Sequence, residues 1–161
     1  MTQPLVRETG LSGLLDTLAI RSLVDAYASA VDNGDGEAFA ELFEPDGVIE
    51  RGAASEVSPA RVHRGRAELT PIPGNLAGKY DRTFHFVGNH ASTIDGDTAA
   101  GVTYCLAHHL NIDRHGSIDH VMFIRYLDDV RRGSDGRWRF SKRKLVVEWT
   151  ETRLADPKLP A

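Results

Sequence analysis

Cysteine is almost absent from this chain: Cys105 stands alone among 161 residues. A lone thiol excludes any intramolecular disulfide and suits a reducing compartment. Long hydrophobic runs are missing too, so no segment has the length to span a bilayer. The opening Met1-Thr2-Gln3-Pro4-Leu5-Val6-Arg7-Glu8 carries no apolar stretch of the signal-peptide kind. These absences lead us to expect a cytoplasmic protein without a membrane partner. Positive charge is not in excess: 19 Lys and Arg against 23 Asp and Glu give a net charge of −4, which argues against a nucleic-acid partner. Ligand spacings such as His-x-His or His-Glu-x-x-His do not occur, and no repeat or low-complexity tract is visible. What is present is an ordinary globular composition, 41% apolar and 26% charged. Its length fits one domain over residues 1–161 with a sizeable core.

The first half reads as helical. Ile20, Leu23, Val24, Tyr27 and Val31 recur at the spacing of one buried helix face. They predict a helix from Ser12 to Val31 after a loose arm over 1–11. Asn33-Gly34-Asp35-Gly36 stops it, and Asp35 can cap a short second helix, Glu37 to Phe43. Pro45-Asp46-Gly47 reads as a turn, Val48–Arg51 as a short strand and 52–64 as a polar loop. Arg66–Leu69 can begin a third helix, interrupted by Pro71 and Pro73. Thr70 to Tyr80 then reads either as a lid over a pocket or as a plain surface connection.

From Thr83 the pattern turns to strands: Thr83–Ile94, Thr98–Asn111, Ser117–Arg131 and Arg137–Thr150, with 151–161 as a frayed or docking arm. The links Asp95-Gly96-Asp97, Asp113-Arg114-His115-Gly116 and Gly133-Ser134-Asp135-Gly136 are short enough to demand antiparallel neighbours. Helices followed by a meander predict an α+β fold. One face of Thr98–Asn111 carries Val102, Tyr104, Leu106 and Leu110, interrupted by His108; the other carries Gly101, Thr103, Cys105, Ala107 and His109. The small-residue face can line a cavity. The apolar face can pack on another subunit, which makes a homo-oligomer (dimer or trimer) the expected state, or it can lie under the helices.

Two polar residues suggest chemistry. Asp32 ends the first amphipathic stretch, and His85 sits in Thr83-Phe84-His85-Phe86-Val87-Gly88, opposite in direction to its two phenylalanines. A carboxylate can orient an imidazole and stabilise its charged form, and the imidazole can then take a proton near neutral pH. Taken singly, each has a plainer role: Asp32 as a cap or turn residue, His85 as a hydrogen-bonded core histidine. Tyr27 lies five residues before Asp32, roughly 140° away on an ideal helix, so the two share a pocket only if the helix ends or bends between them. Strand register decides whether His108 or His109 joins His85. A three-residue Asp95-Gly96-Asp97 loop sets His85 opposite Ala107 and brings His109 to its face; a two-residue turn brings His108 instead. A four-residue loop after Ile112 pairs His109 with His120. A metal held by His85, His109 and His120 is a weaker alternative. His63, His90 and His115 read as surface or turn residues. Arg143 shares strand parity with Arg139, Ser141 and Val147.

The order of elements, Val31-Asp32, Thr83-Phe84-His85-Phe86-Val87-Gly88, Arg125-Tyr126-Leu127-Asp128 and Trp138-Arg139-Phe140-Ser141-Lys142-Arg143 together resemble the SnoaL-like branch of the NTF2-like superfamily. Scytalone dehydratase, the hexachlorocyclohexane dehydrochlorinase and the bile-acid 7α-dehydratase belong to that group. The resemblance covers roughly Leu14 to Trp149. It implies a cone of three helices on a curved, mostly antiparallel sheet. It also implies catalysis without cofactor or metal, by an Asp32–His85 base, with Tyr27 or His109 as proton donor and Arg143 stabilising negative charge. The implied activity is a dehydratase-type lyase acting on a small apolar cyclic substrate such as a polyketide, steroid or terpenoid. An isomerase or cyclase, and a non-catalytic binding module, are the alternatives. The chain departs from the family in two places: Val31 stands where scytalone dehydratase has a tyrosine, and Ala107 or His108 where the bile-acid enzyme has an acid.

Overall fold

The computed structural model describes residues 10–53, 61–113 and 116–156. Their order is α1 (Leu11–Asp32), α2 (Gly36–Glu41), β1 (Phe43–Ala53), β2 (Arg61–Arg64), α3 (Gly65–Leu69), α4 (Pro71–Ala77), β3 (Arg82–Asp95), β4 (Thr98–Asp113), β5 (Gly116–Arg132) and β6 (Trp138–Ala155). The sheet runs β2-β1-β6-β5-β4-β3. Only the β1–β6 pair is parallel; the other four are antiparallel. This is the expected α+β layout, with helices and then a curved, unclosed sheet.

The expected helix α1 forms one residue longer at each end. It stops in a Schellman motif: Gly34 takes φ +67°, its N–H donates to the Val31 carbonyl, and the Asp35 N–H donates to that of Ala30. Asp35 then caps α2, accepting from the Ala38 N–H at 3.0 Å. The third helix stops at Leu69, but the two prolines expected to interrupt it lie inside another helix. Pro71 occupies the first position of a fourth helix, where its missing N–H costs nothing and its φ is already helical. The first strand is also longer than expected. Pro45-Asp46-Gly47 is an irregularity inside β1 rather than a separate turn, and a Cβ on Gly47 would stand 2.9 Å from that of Phe43. Part of the expected polar loop is strand β2, and residues 151–155 extend β6 instead of forming an arm. The remaining parts of those stretches, 54–60 and 157–161, and the arm 1–9 lie outside the described residues, as do residues 114–115 of the third turn.

The helices cover the small-residue face of β4, where Thr103, Cys105 and Ala107 are buried, and the core is completed by Tyr27, Phe39, Phe43, Tyr126 and Phe140. The larger apolar face stays uncovered: Phe84 is 61% and Trp149 54% exposed. Asp16 ties the start of α1 to the sheet, accepting from the buried Trp138 indole N–H at 3.0 Å and from Arg132 at 2.8 Å. Three β-bulges bend the sheet, one in β3 and two in the β5–β6 pair. The bulge between Asp129 and Val130 turns Trp138 and Phe140 inward, so Arg139 does not share the face of Arg143 as the unbroken parity predicted. It pairs instead with Asp135 at 2.7 Å.

Candidate active site

Asp32 occupies the last residue of α1, the negative end of the helix dipole and an unfavourable place for a carboxylate. Three hydrogen bonds from β3 hold it there. Oδ1 accepts from Thr83 Oγ1 at 2.8 Å and faces His85 Nδ1 at 2.7 Å, while Oδ2 accepts the backbone N–H of His85 at 2.8 Å. Burial alone would raise the Asp32 pKa; the imidazole, the backbone N–H and the hydroxyl outweigh it and hold the carboxyl below its ordinary value. A carboxylate can only accept, so the proton between the two groups belongs to Nδ1 of His85. The Nε2 atom is left with an open lone pair. The His85 side chain is 7% exposed.

His85 lines a cavity of about 130 Å³. Its walls are Tyr27 and Val31 from α1, Ile49 and Arg51 from β1, Arg61 and His63 from β2, and Ile72 and Leu76 from α4. The sheet adds His109, Met122, Ile124, Tyr126 and Leu145. The segment read as lid or connection therefore supplies wall residues through α4. His63 is not a plain surface residue; it faces this cavity. Asp32 does not reach it and instead borders an outer cleft with Thr83, Phe84 and His108. The helix runs on through Asp32, and Tyr27 lines the cavity while Asp32 borders the outer cleft. His85 bonds Asp32 on one side and lines the same cavity as Tyr27 on the other.

His109 does face the cavity. His85 pairs with Ala107 and His109 with His120, and the His85 and His109 rings meet edge to face at 5.6 Å. The Tyr80 ring also packs on His109, tilted, with ring centres 4.7 Å apart. Burial, with the neighbouring His85 charge, pushes the His109 pKa down to about 4, so the ring is neutral at pH 7. Its Nδ1–H donates to the His120 carbonyl at 3.2 Å, which leaves Nε2 as an acceptor. His108 points outward and pairs with Asp119 at 2.8 Å. Among the described residues no group of three His, Cys, Asp or Glu is arranged to hold a metal ion.

Arg143 is fully buried, and its Nε and Nη2 fork onto the two oxygens of Asp128 at 2.7 Å each. Its guanidinium lies 4.1 Å from the ring centre of Tyr27, 4.3 Å from Tyr126 and 4.1 Å from Phe140. Arg143 thus stands behind the two cavity tyrosines rather than on the cavity wall. Burial works against its charge, and Asp128 more than restores it. Burial pushes the Tyr27 phenol up to about 12 against the pull of Arg143, so it remains protonated at neutral pH. Sequence reasoning missed Asp128 as the partner of Arg143. Its signal was the alternation Tyr126-x-Asp128, which sends both side chains inward.

The arrangement is one of a charge-oriented imidazole in a small, mostly apolar chamber with protonated phenols behind it. The chain belongs to the SnoaL-like domain family, which matches residues 12–144, the expected branch of the NTF2-like superfamily. An uncharacterized protein of Mycobacterium tuberculosis, Rv2910c, is 29% identical over 130 residues, covering 80% of this chain and 82% of the relative. A candidate scytalone dehydratase of Novosphingobium aromaticivorans superposes with TM-score 0.75 at 23% identity, covering 93% of this chain and 97% of its own. The hexachlorocyclohexane dehydrochlorinase LinA-type3 of Novosphingobium barchaimii does so with TM-score 0.75 at 17% identity, covering 95% and 100%. At these identities the two structures show a shared fold.

Proposed function

We propose that this protein is a cofactor-independent lyase that removes water, or a comparable leaving group, from a small cyclic hydroxy or carbonyl compound. The observation that carries the reading is the 2.7 Å contact between Asp32 and His85, with His85 also lining a cavity. A binding module on the same fold would need neither. The names borne by the fold neighbours, a dehydratase and a dehydrochlorinase, agree with this class.

In the proposed step, His85 Nε2 takes a proton from the carbon beside the activating group. The C–H electron pair becomes the new double bond as the carbon–oxygen bond breaks. Tyr27 donates its phenolic proton to the departing hydroxyl, which leaves as water, and the proton on His85 returns through solvent to Tyr27. Arg143 stabilises the transient phenolate from behind the ring. His109, neutral and with its only N–H engaged, is an acceptor that orients the leaving hydroxyl rather than the proton donor. A chamber of this size takes a single six-membered ring, so a steroid or larger polyketide requires the mouth to widen. The exposed sheet face belongs to the same proposal: a second copy of the chain covers it.

Steady-state assays on single-ring β-hydroxy ketones, followed by enone absorbance, test the reaction. Chloride release from chlorinated cyclohexanes tests its halide counterpart. Asp32→Asn and His85→Gln should each lose roughly 100-fold or more in kcat, the scale of positioned acid–base catalysis. Wild-type rates in both variants would remove the pair from the mechanism. Product with its leaving group retained would move the activity to isomerisation.

A further inference from the structure

The cavity wall carries two arginines and three histidines but no carboxylate among its described residues. Strand pairing explains how. In the β1–β2 ladder Arg51 lies directly opposite Arg61, and Ile49 directly opposite His63. Opposed residues of an antiparallel pair share a face, so both arginines and His63 turn to the chamber together. The intervening Glu50, the nearest carboxylate in sequence on these strands, points the other way and pairs with Lys142 at 3.0 Å. Like charges directly opposite each other weaken a strand pair. No described carboxylate relieves this one.

The Arg51 guanidinium stays exposed at the chamber's edge and reaches along the wall: Nη2 lies 3.8 Å from the sulfur of Met122, itself a wall residue. Its charge reaches the interior, where it contributes to keeping His109 neutral. Two guanidinium groups set side by side at a chamber's edge form a site for a carboxylate.

We propose that Arg51 and Arg61 form a clamp for a substrate carboxylate, which makes the substrate a single-ring acid rather than a neutral apolar ring. The inference rests on reading the chamber as the substrate site. The clamp lies on the β1–β2 side and His85 acts from β3, so the acid group and the reacting carbon sit at opposite walls. The carboxylate then fixes which carbon of the ring meets Nε2. His63, on the same face, borders the clamp.

Calorimetric titration with benzoate and its neutral isostere benzamide tests the clamp without any turnover. His85 and His109 ring resonances report whether the probe occupies the chamber. The wild type should bind benzoate roughly tenfold or more tightly than benzamide, the difference expected of charge-assisted hydrogen bonds. The Arg51→Gln, Arg61→Gln double variant, shown folded by its thermal transition, should bind the two equally. Undetectable benzoate binding, equal affinities in the wild type, or a preference that survives in the double variant would each overturn the clamp. Failure of the lyase reading looks different: His85→Gln would retain turnover while the benzoate preference stayed intact.

Discussion

The Arg21 guanidinium donates to the carbonyl of Gly88 at 2.7 Å, and to that of Val87 at 3.1 Å. These carbonyls belong to the bulge between Val87 and His90, where one strand carries an extra residue and the ladder cannot use them normally. A helix side chain thereby holds the irregularity that decides which histidine meets His85. Replacing Arg21 by methionine should cost about 1–2 kcal/mol, the range for leaving partly buried acceptors unpaired. It should also lower kcat more than it raises KM, because the His85–His109 geometry loosens. Urea denaturation and amide exchange at Val87 and His90 measure the first effect. Asp25→Asn removes only the exposed ion pair with Arg21 and should change stability little. Equal losses in the two variants would show that the carbonyl contacts are not what matters.

That bulge also marks where the sequence stopped being legible. Helix α1, the α2 cap and the strand meander follow from apolar period and turn residues, which are local signals. Turn length leaves His108 and His109 both open; His109 faces the cavity, but not through a three-residue loop. Thr98 pairs with Asp95 rather than Ile94, so the β3–β4 turn has two central residues and alone would bring His108 to His85's face. The extra residue near Gly88-Asn89 shifts the register back by one. A period-two reading cannot see this, because a bulge changes the phase of the alternation without changing residue type. The same blindness placed Arg139 with Arg143. The β1–β2 arginine row was hidden for another reason: four residues of strand among polar neighbours carry almost no apolar pattern.

The Asp128–Arg143 pair should behave as a buried ion pair. Asp128→Ala would leave a fully buried guanidinium without its counter-charge, at a cost of about 3–5 kcal/mol. The double change Asp128→Leu, Arg143→Met removes both charges and should recover much of that loss, since apolar replacements of buried pairs are often tolerated. Urea midpoints of the single and double variants decide it. A single variant within about 1 kcal/mol of wild type would show that solvent reaches Arg143.

The uncovered rings predict self-association. Phe86, Tyr104, Leu106, Phe123 and Trp149 line one apolar groove on the outer sheet face, with Phe123 and Trp149 stacked at 4.2 Å. Patches of this kind on soluble proteins mark interfaces. Sedimentation equilibrium should give a dimer or trimer, and the Phe86→Glu, Trp149→Glu double variant should be monomeric with its helical circular dichroism unchanged. A monomeric wild type at micromolar concentration would sink the proposed oligomer and leave the cavity chemistry untouched.

His109 should make stability fall in mild acid. Its folded pKa, about 4, lies below the ordinary histidine value of 6.5 because of burial and the His85 charge. Above pH 6.5 both folded and unfolded chains hold the ring neutral, and it contributes no pH dependence. Between 6.5 and 4 the unfolded chain takes up a proton that the folded chain refuses, so stability drops as pH falls and levels off once both are charged. The ceiling is on the order of 3 kcal/mol. Burial lowers His90 as well, and it adds a slope of the same sign. Asp32 acts lower down, because its stabilisation is lost only as pH falls from the ordinary carboxylate value through its depressed one. Urea titrations at pH 4.5, 5.5 and 6.5 therefore isolate the histidines, and His109→Gln should flatten that slope while leaving the loss below pH 4 in place. An unchanged slope in the variant, or a His109 ring resonance that titrates near 6.5, would mean that the ring is charged in the folded protein and free to donate, which would return the proton-donor role to it.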